Sequence, residues 1–269
     1  MCEFTLIGTL RAAAVGAFTC WGAAFAADHQ AATMSPPPIL KITRIVAKPG
    51  QIARIGRLEA ERTGALVRAG WPRLYVGSVA VTGPQQLWTF ARYDSLGEIS
   101  DDLDFIDRNP GLKAELQRID EAETALVESR RDVTATYQKN ISYRPDFDWL
   151  QVRYWEVIWV HLRNGHHEAY IENRLMTREE HERGAFDTHQ MMYAVQSGEQ
   201  SGTFFVIRPM ANLAHLDALH AADDGEPETP AEEKKKVRLF AESSLTEEEA
   251  YFRVLPAVSL LTPRSGARE

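Results

Sequence analysis

Gly83-Pro84-Gln85-Gln86-Leu87-Trp88-Thr89-Phe90 and Gly198-Glu199-Gln200-Ser201-Gly202-Thr203-Phe204-Phe205 share Gly, Gln and Phe at one spacing, 115 residues apart. Gly50 and Gly165 stand at the same interval. The chain therefore reads as one structural unit written twice, and that doubling decides the architecture.

Both stretches are hairpin turns between apolar, β-branched runs. Leu74 to Val81 and Gln86 to Tyr93 flank Thr82-Gly83-Pro84-Gln85, while His189 to Gln196 and Thr203 to Arg208 flank Ser197-Gly198-Glu199-Gln200. Upstream lies a strand and then a helix in each unit. Ile39 to Lys48 ends at Pro49-Gly50 before an amphipathic stretch, Gln51 to Ala69; Leu150 to Leu162 ends at Asn164-Gly165 before His166 to Arg183. Downstream, Leu96 to Phe105 and Asn212 to Leu219 read as short helices. Asn109-Pro110 and Thr229-Pro230 then each supply an N-cap with proline at the first helical position. The units close with extended segments, Gln138 to Tyr143 before Pro145 and Ala250 to Val254 before Pro256, so the interval drifts to 111 residues. Strand, helix, strand, strand, helix, strand is the split βαβ order of a ferredoxin-like unit.

Along Leu150 to Leu162, alternation puts Val152, Tyr154, Ile158, Val160 and Leu162 on one face and Trp155, Val157 and Trp159 on the other. A strand apolar on both faces needs cover on both. The expected fold is α+β, with tandem ferredoxin-like units at 39–148 and 149–260 packed sheet to sheet as an intramolecular pseudo-dimeric α/β barrel, followed by a tail at 261–269. With the passage Trp88 to Leu96 and its counterpart Thr203 to Ala211, the chain resembles the dimeric α/β-barrel superfamily, most of all antibiotic-biosynthesis-monooxygenase and NIPSNAP-type domains. That resemblance implies a barrel with an internal cavity, and it carries over no catalytic residue. It also includes haem-binding members with a histidine ligand, which makes His215 the residue to consider for haem.

Residues 1–27 differ from the rest. Arg11 precedes a small, apolar run from Ala12 to Phe25, and Ala24-Phe25-Ala26 has the small-x-small pattern of a signal-peptidase site. This segment reads as a cleaved export signal, placing the protein in the periplasm or outside the cell with no stable membrane insertion. Residues 28–38, which include Pro36-Pro37-Pro38, read as a disordered linker. Cys2 and Cys20 both lie in the signal, so the mature chain has no thiol for a disulfide, a nucleophile or a thiolate metal site. A formal net charge of −8 argues against a nucleic-acid partner. A small-molecule ligand and a homo-oligomer remain compatible with this composition.

No G-x-S-x-G, phosphate loop or metal-ligand spacing is present. His166-His167 point in different directions on a helix, and His215 and His220 miss the i, i+4 spacing, so no metal site is expected. The candidate site is the inter-sheet space. Trp155, Trp159 and Tyr193 would stack an aromatic compound, Arg153 would counter a developing anion, and His161 or His189 would move a proton. The reading is a small-molecule-binding protein, in its sharper form a cofactor-independent oxygenase or isomerase acting on an aromatic compound. The alternative is a non-catalytic envelope scaffold whose barrel is filled with side chains, and a second alternative is a haem-binding barrel.

Overall fold

The structure is a computed structural model that describes residues 33–223 and 229–261. Residues 1–27, read above as an export signal, residues 28–32, residues 224–228 and most of the tail lie outside the described residues. Ten strands and six α-helices run in the order β1 (Thr33–Met34), β2 (Ile39–Ala47), α1 (Ile52–Ala69), β3 (Tyr75–Ala80), β4 (Gln86–Tyr93), α2 (Gly97–Asp107), α3 (Pro110–Thr124), β5 (Val127–Tyr137), β6 (Phe147–Asp148), β7 (Tyr154–Leu162), α4 (His167–Arg183), β8 (Met191–Ser197), β9 (Thr203–Met210), α5 (Ala214–Asp223), α6 (Pro230–Ser243) and β10 (Ser244–Val254).

Eight strands close an antiparallel barrel in the order β10-β3-β4-β2-β5-β8-β9-β7. Within it, β3-β4-β2-β5 and β8-β9-β7-β10 are the same arrangement used twice. The expected sheet-to-sheet packing is corrected in one respect. The two sheets also join edge to edge, through β10–β3 over Phe252–Val254 and through β5–β8 over Thr134–Tyr137. Each half therefore uses its partner's edge to satisfy backbone groups that an open sheet leaves unpaired.

The register also revises the repeat. Ile42 opposes Phe90 on the neighbouring strand, and Val157 in the same role opposes Ile207, so β4 and β9 correspond 117 residues apart. Trp88, opposite Arg44, matches Phe205, opposite Trp159. The second hairpin is thus two residues longer, and the Phe90–Phe205 identity is not a structural equivalence. The closing strand of the first half is β5, not Gln138 to Tyr143. Its first half, Glu128-Ser129-Arg130-Arg131-Asp132, is exposed and charged, which hid its alternation. β10 begins at Ser244 for the same reason, since Glu247, Glu248 and Glu249 are exposed.

Residues alternate between two cores. Leu40, Ile42, Val76, Trp88, Phe90, Val133, Trp155, Val157, Trp159, Tyr193, Phe205 and Phe252 fill the barrel. Outside it, Ile45 and Leu87 pack with Ile55 of α1, and Ile158, Val160, Phe204 and Val206 pack with Tyr170 of α4. Trp88 is the hub of the interior, with its ring centroid 4.9 Å from Phe252, 5.2 Å from Trp159 and 6.0 Å from Phe205. Aromatic side chains therefore occupy the centre of the barrel, where a cavity was expected. Residues 33–38, expected as a disordered linker, instead join the fold. Thr33 and Met34 pair with Asp148 and Phe147, and Pro36 and Pro37 are buried.

The β5–β8 seam depends on a glycine. Gly198 has φ +86°, and a Cβ there would overlap the main-chain oxygen of Asp132. Gly83 in the first hairpin has φ +74° and open space around it. Gly83→Ala is expected to cost about 1–2 kcal/mol of left-handed strain. Gly198→Ala adds the clash and should cost clearly more, read as the difference in denaturant midpoint between the two variants. Equal losses would show that the seam is not held there.

Candidate functional site

The two barrel ends differ in chemistry. At one end, Arg44 lies on the inner face of β2 in line with Leu40 and Ile42. Its guanidinium carbon is 4.5 Å from the Trp88 ring centroid and 4.9 Å from that of Trp159. Nη1 donates to Glu199 Oε2 at 3.0 Å, and Arg131 donates to the other oxygen of the same carboxylate. Burial pulls the Arg44 pKa down against the raising effect of Glu199. At Glu199, burial pushes the carboxyl up, but hydrogen bonds from Arg131 and the Gln200 N–H, with the charges of Arg131 and Arg44, outweigh it and hold the group below the ordinary Glu value. His161 lies near this end on β7. Thr203 Oγ1 donates to the Gln200 carbonyl, so it can only accept from His161 Nδ1, 2.6 Å away. These groups close the barrel and leave no described pocket.

The other end is capped by three chain segments. Ser35–Pro38 lies across it, with Pro37 O accepting from Tyr193 OH at 3.2 Å and Ser35 O from Arg92 Nη2 at 2.7 Å. Phe147, Trp149 and Val152 from the connection between halves pack onto the inner core beside Trp155. Leu260 bridges to Tyr75. Burial lowers the Arg92 pKa and raises that of Tyr193.

A cleft of about 220 Å³ opens beside this cap, between the connection and the β9–α5 passage. Phe147, Val152, Pro209 and Met210 give it apolar walls; His189, His215, Asp148 and Asp187 are its titratable groups. His189 Nδ1 is 2.6 Å from the main-chain oxygen of Arg144. A carbonyl only accepts, so Nδ1 donates to it, and in the neutral tautomer that this bond selects the lone pair lies on Nε2. Asp148 accepts from the Leu150 N–H at 2.9 Å, and Asp187 pairs with Arg144 at 3.3 Å.

The structure brings four of the six sequence-proposed residues to the capped end and separates the other two. Trp155 and Tyr193 are buried in the interior there, and His189 lines the cleft. Arg153 is exposed, and its guanidinium donates to the main-chain oxygens of Leu150 and Val152. Trp159 and His161 belong to the Arg44 end, and His161 is about 26 Å along the strand from Arg153 at roughly 3.3 Å per residue. Sequence reasoning missed Arg44, Glu199, Arg92 and the cap residues Asp148, Gln151 and Asp187. Arg44 carried a legible signal, a charge at an inward position of an alternating strand. The connection residues carried none, because their position depends on barrel closure.

His215 lines this cleft from α5, and haem does not fit it. Its volume falls below the roughly 300–1,000 Å³ that drug-sized ligands occupy, and haem is larger than most of those. Among the described residues no cluster of three or more metal-ligating side chains occurs.

No protein-family profile and no curated protein matches the chain. Solved structures share its fold. An anthrone oxidase-like protein aligns with TM-score 0.55 at 9% identity, over 82% of this chain and 94% of that one. A candidate monooxygenase of Lactobacillus acidophilus NCFM aligns with TM-score 0.51 at 11% identity, over 84% and 99%. A mutant chlorite dismutase from Candidatus Nitrospira defluvii aligns with TM-score 0.50 at 11% identity, over 86% and 95%. The chain is similar to these proteins as an α+β antiparallel barrel, and at such identities the likeness is one of fold.

Glu199 gives a signed prediction for the Arg44 end. Its lowered pKa means that its stabilisation is present above the unfolded Glu range and is lost as pH falls through the folded value. Glu199→Gln should cost about 1–3 kcal/mol at pH 7, and the difference from the parent should shrink in denaturant titrations taken toward pH 3. A pH-independent difference would remove the ion pair from this role.

Proposed function

We propose that this is a tandem ferredoxin-like barrel of the antibiotic-biosynthesis-monooxygenase and NIPSNAP-like kind that binds a small aromatic molecule in the cleft beside His189. The observation that carries the reading is the imidazole itself. Nδ1–H is fixed to a carbonyl, which selects the tautomer whose other nitrogen can act as a base, in a cleft with apolar walls. On this reading the site lies at the barrel rim and not in the inter-sheet space, because aromatic side chains fill the interior. The fold likeness to a candidate monooxygenase and an anthrone oxidase-like protein supports oxygenase chemistry on a phenol or related compound. In that chemistry His189 takes the phenolic proton, the phenolate reduces dioxygen, and one oxygen atom enters the ring while the other leaves as water.

The test uses 1-naphthol, whose oxidation by one dioxygen to a naphthoquinone and water balances without another reductant. Binding by calorimetry and oxygen uptake are measured for the parent and His189→Gln. Uptake that falls at least about 100-fold in the variant supports a base role. Binding without uptake limits the protein to a ligand carrier. No binding leaves the scaffold reading, which the filled interior favours independently.

Export belongs to the same proposal. It rests on the segment from Met1 to Ala27. Intact mass of the protein recovered from the envelope should correspond to a chain starting after Ala26 or Ala27, and a full-length mass would overturn it.

A further inference from the structure

The capped end holds buried hydrogen-bond donors that lack acceptors. Nη1 of Arg92 and Nε1 of Trp155 are shielded from solvent and bond to no protein atom, in an interior where buried polar atoms are ordinarily paired. The other arm of Arg92, Nη2, donates to Ser35 O, Tyr193 OH donates to Pro37 O, and the Tyr137 N–H donates to Pro38 O at 3.0 Å. Donors from three different strands are thus met by three carbonyls of one four-residue segment. Proline has no N–H, so Pro36-Pro37-Pro38 presents acceptors only. A row of oxygens facing a guanidinium, a phenol and an amide is the chemistry of an oxyanion or carbonyl ligand. The surroundings are flat and aromatic. The Trp149 ring centroid lies 5.0 Å from the Arg92 guanidinium carbon and 5.3 Å from the Trp155 ring.

We propose that Ser35–Pro38 sits in a ligand seat at the Arg92 end of the barrel, and that the seat takes a flat aromatic carboxylate when the segment lifts. A carboxylate accepts from both arms of an arginine fork, which a single peptide carbonyl does not. The aromatic body takes the buried space of Pro36 and Pro37. Lifting is inexpensive in backbone bonds, because the preceding strand β1 pairs with β6 over only Thr33 and Met34. The segment competes with the ligand, so apparent affinity is reduced by the fraction of molecules in which the seat is open. Loosening the segment should therefore tighten binding.

The test titrates the full-length protein with 2-naphthoate, following tryptophan fluorescence, with 2-naphthamide as the uncharged control. Pro37→Gly, which frees the segment, is expected to bind 2-naphthoate at least 5-fold more tightly than the parent. Arg92→Met is expected to bind at least 10-fold more weakly, and 2-naphthamide more weakly than 2-naphthoate. At saturation the Tyr137 amide should lose protection from hydrogen exchange, since its acceptor Pro38 O has left. If Arg92→Met does not fold, Arg92→Lys keeps the charge without the fork and should bind at least 5-fold more weakly. Equal affinity of Pro37→Gly and the parent, an arginine variant that binds as the parent does, or an unchanged Tyr137 amide overturns the proposal. So does failure of 2-naphthoate to bind either the parent or Pro37→Gly. The result is separable from the naphthol test, which reads His189.

Discussion

Closure of the barrel at two short edge seams is the constraint on which the other features rest. Each half is a four-stranded sheet with helices on one face, and such a sheet leaves its other face and its edges uncovered. Joining β10 to β3 and β5 to β8 covers both at once. The inner faces then enclose a common core, which is why Trp155 and Trp159 on β7 can pack against Phe90 and Trp88 on β4. Without the seams neither half would have a reason to bury these rings.

The filled core decides where chemistry is available. With Phe205, Phe252 and Trp159 each packed against Trp88 at the centre, no ligand enters without displacing aromatic side chains, and a packed core resists that. What remains for chemistry are the ends, and they are not equivalent. The Arg44 end is stitched by a carboxylate shared between two arginines. The Arg92 end is covered by chain segments that are not part of the barrel, and there donors are left over and a cleft survives.

Much of the fold was legible because two periods coexist in the sequence. Alternation in β2, β4 and β7 and helical spacing in α1 and α3 show which faces are buried. The apolar character of both faces of Tyr154–Leu162 correctly implied two layers of cover. The identity of Phe90 and Phe205 misled about register, since a hairpin can lengthen by two residues and keep the same inward face. β5 was illegible for a related reason. Where a strand edge projects beyond its neighbour, both of its faces meet water, and charge replaces alternation. The candidate site was the least legible part. His189, Asp148 and His215 come from segments distant in sequence, and only the closed barrel brings them to one cleft. Buried donors without acceptors leave no trace in a linear pattern, because Arg92 sits in an ordinary alternating strand.

The interior also shows what two like-ordered halves in one chain permit. Arg44 corresponds in register to Trp159, and Arg131, opposite Arg44 on β5, corresponds to Glu248, opposite Trp159 on β10. A symmetric pair of identical chains would have to place the same residue at both positions of each set, because its interface is self-complementary. Two copies of Arg44 and two of Arg131 at one barrel end would set four like charges against each other. Two copies of Trp159 and Glu248 would leave carboxylates without a cation. With the halves in one chain, Arg44 stacks on Trp88 from its own half and on Trp159 from the other, and Glu199 of the second half binds both arginines of the first. With both halves in one chain, each inward position is free to be the complement of its counterpart, and the two ends differ accordingly, one closed by the Arg44–Glu199–Arg131 cluster and the other flanked by a cleft.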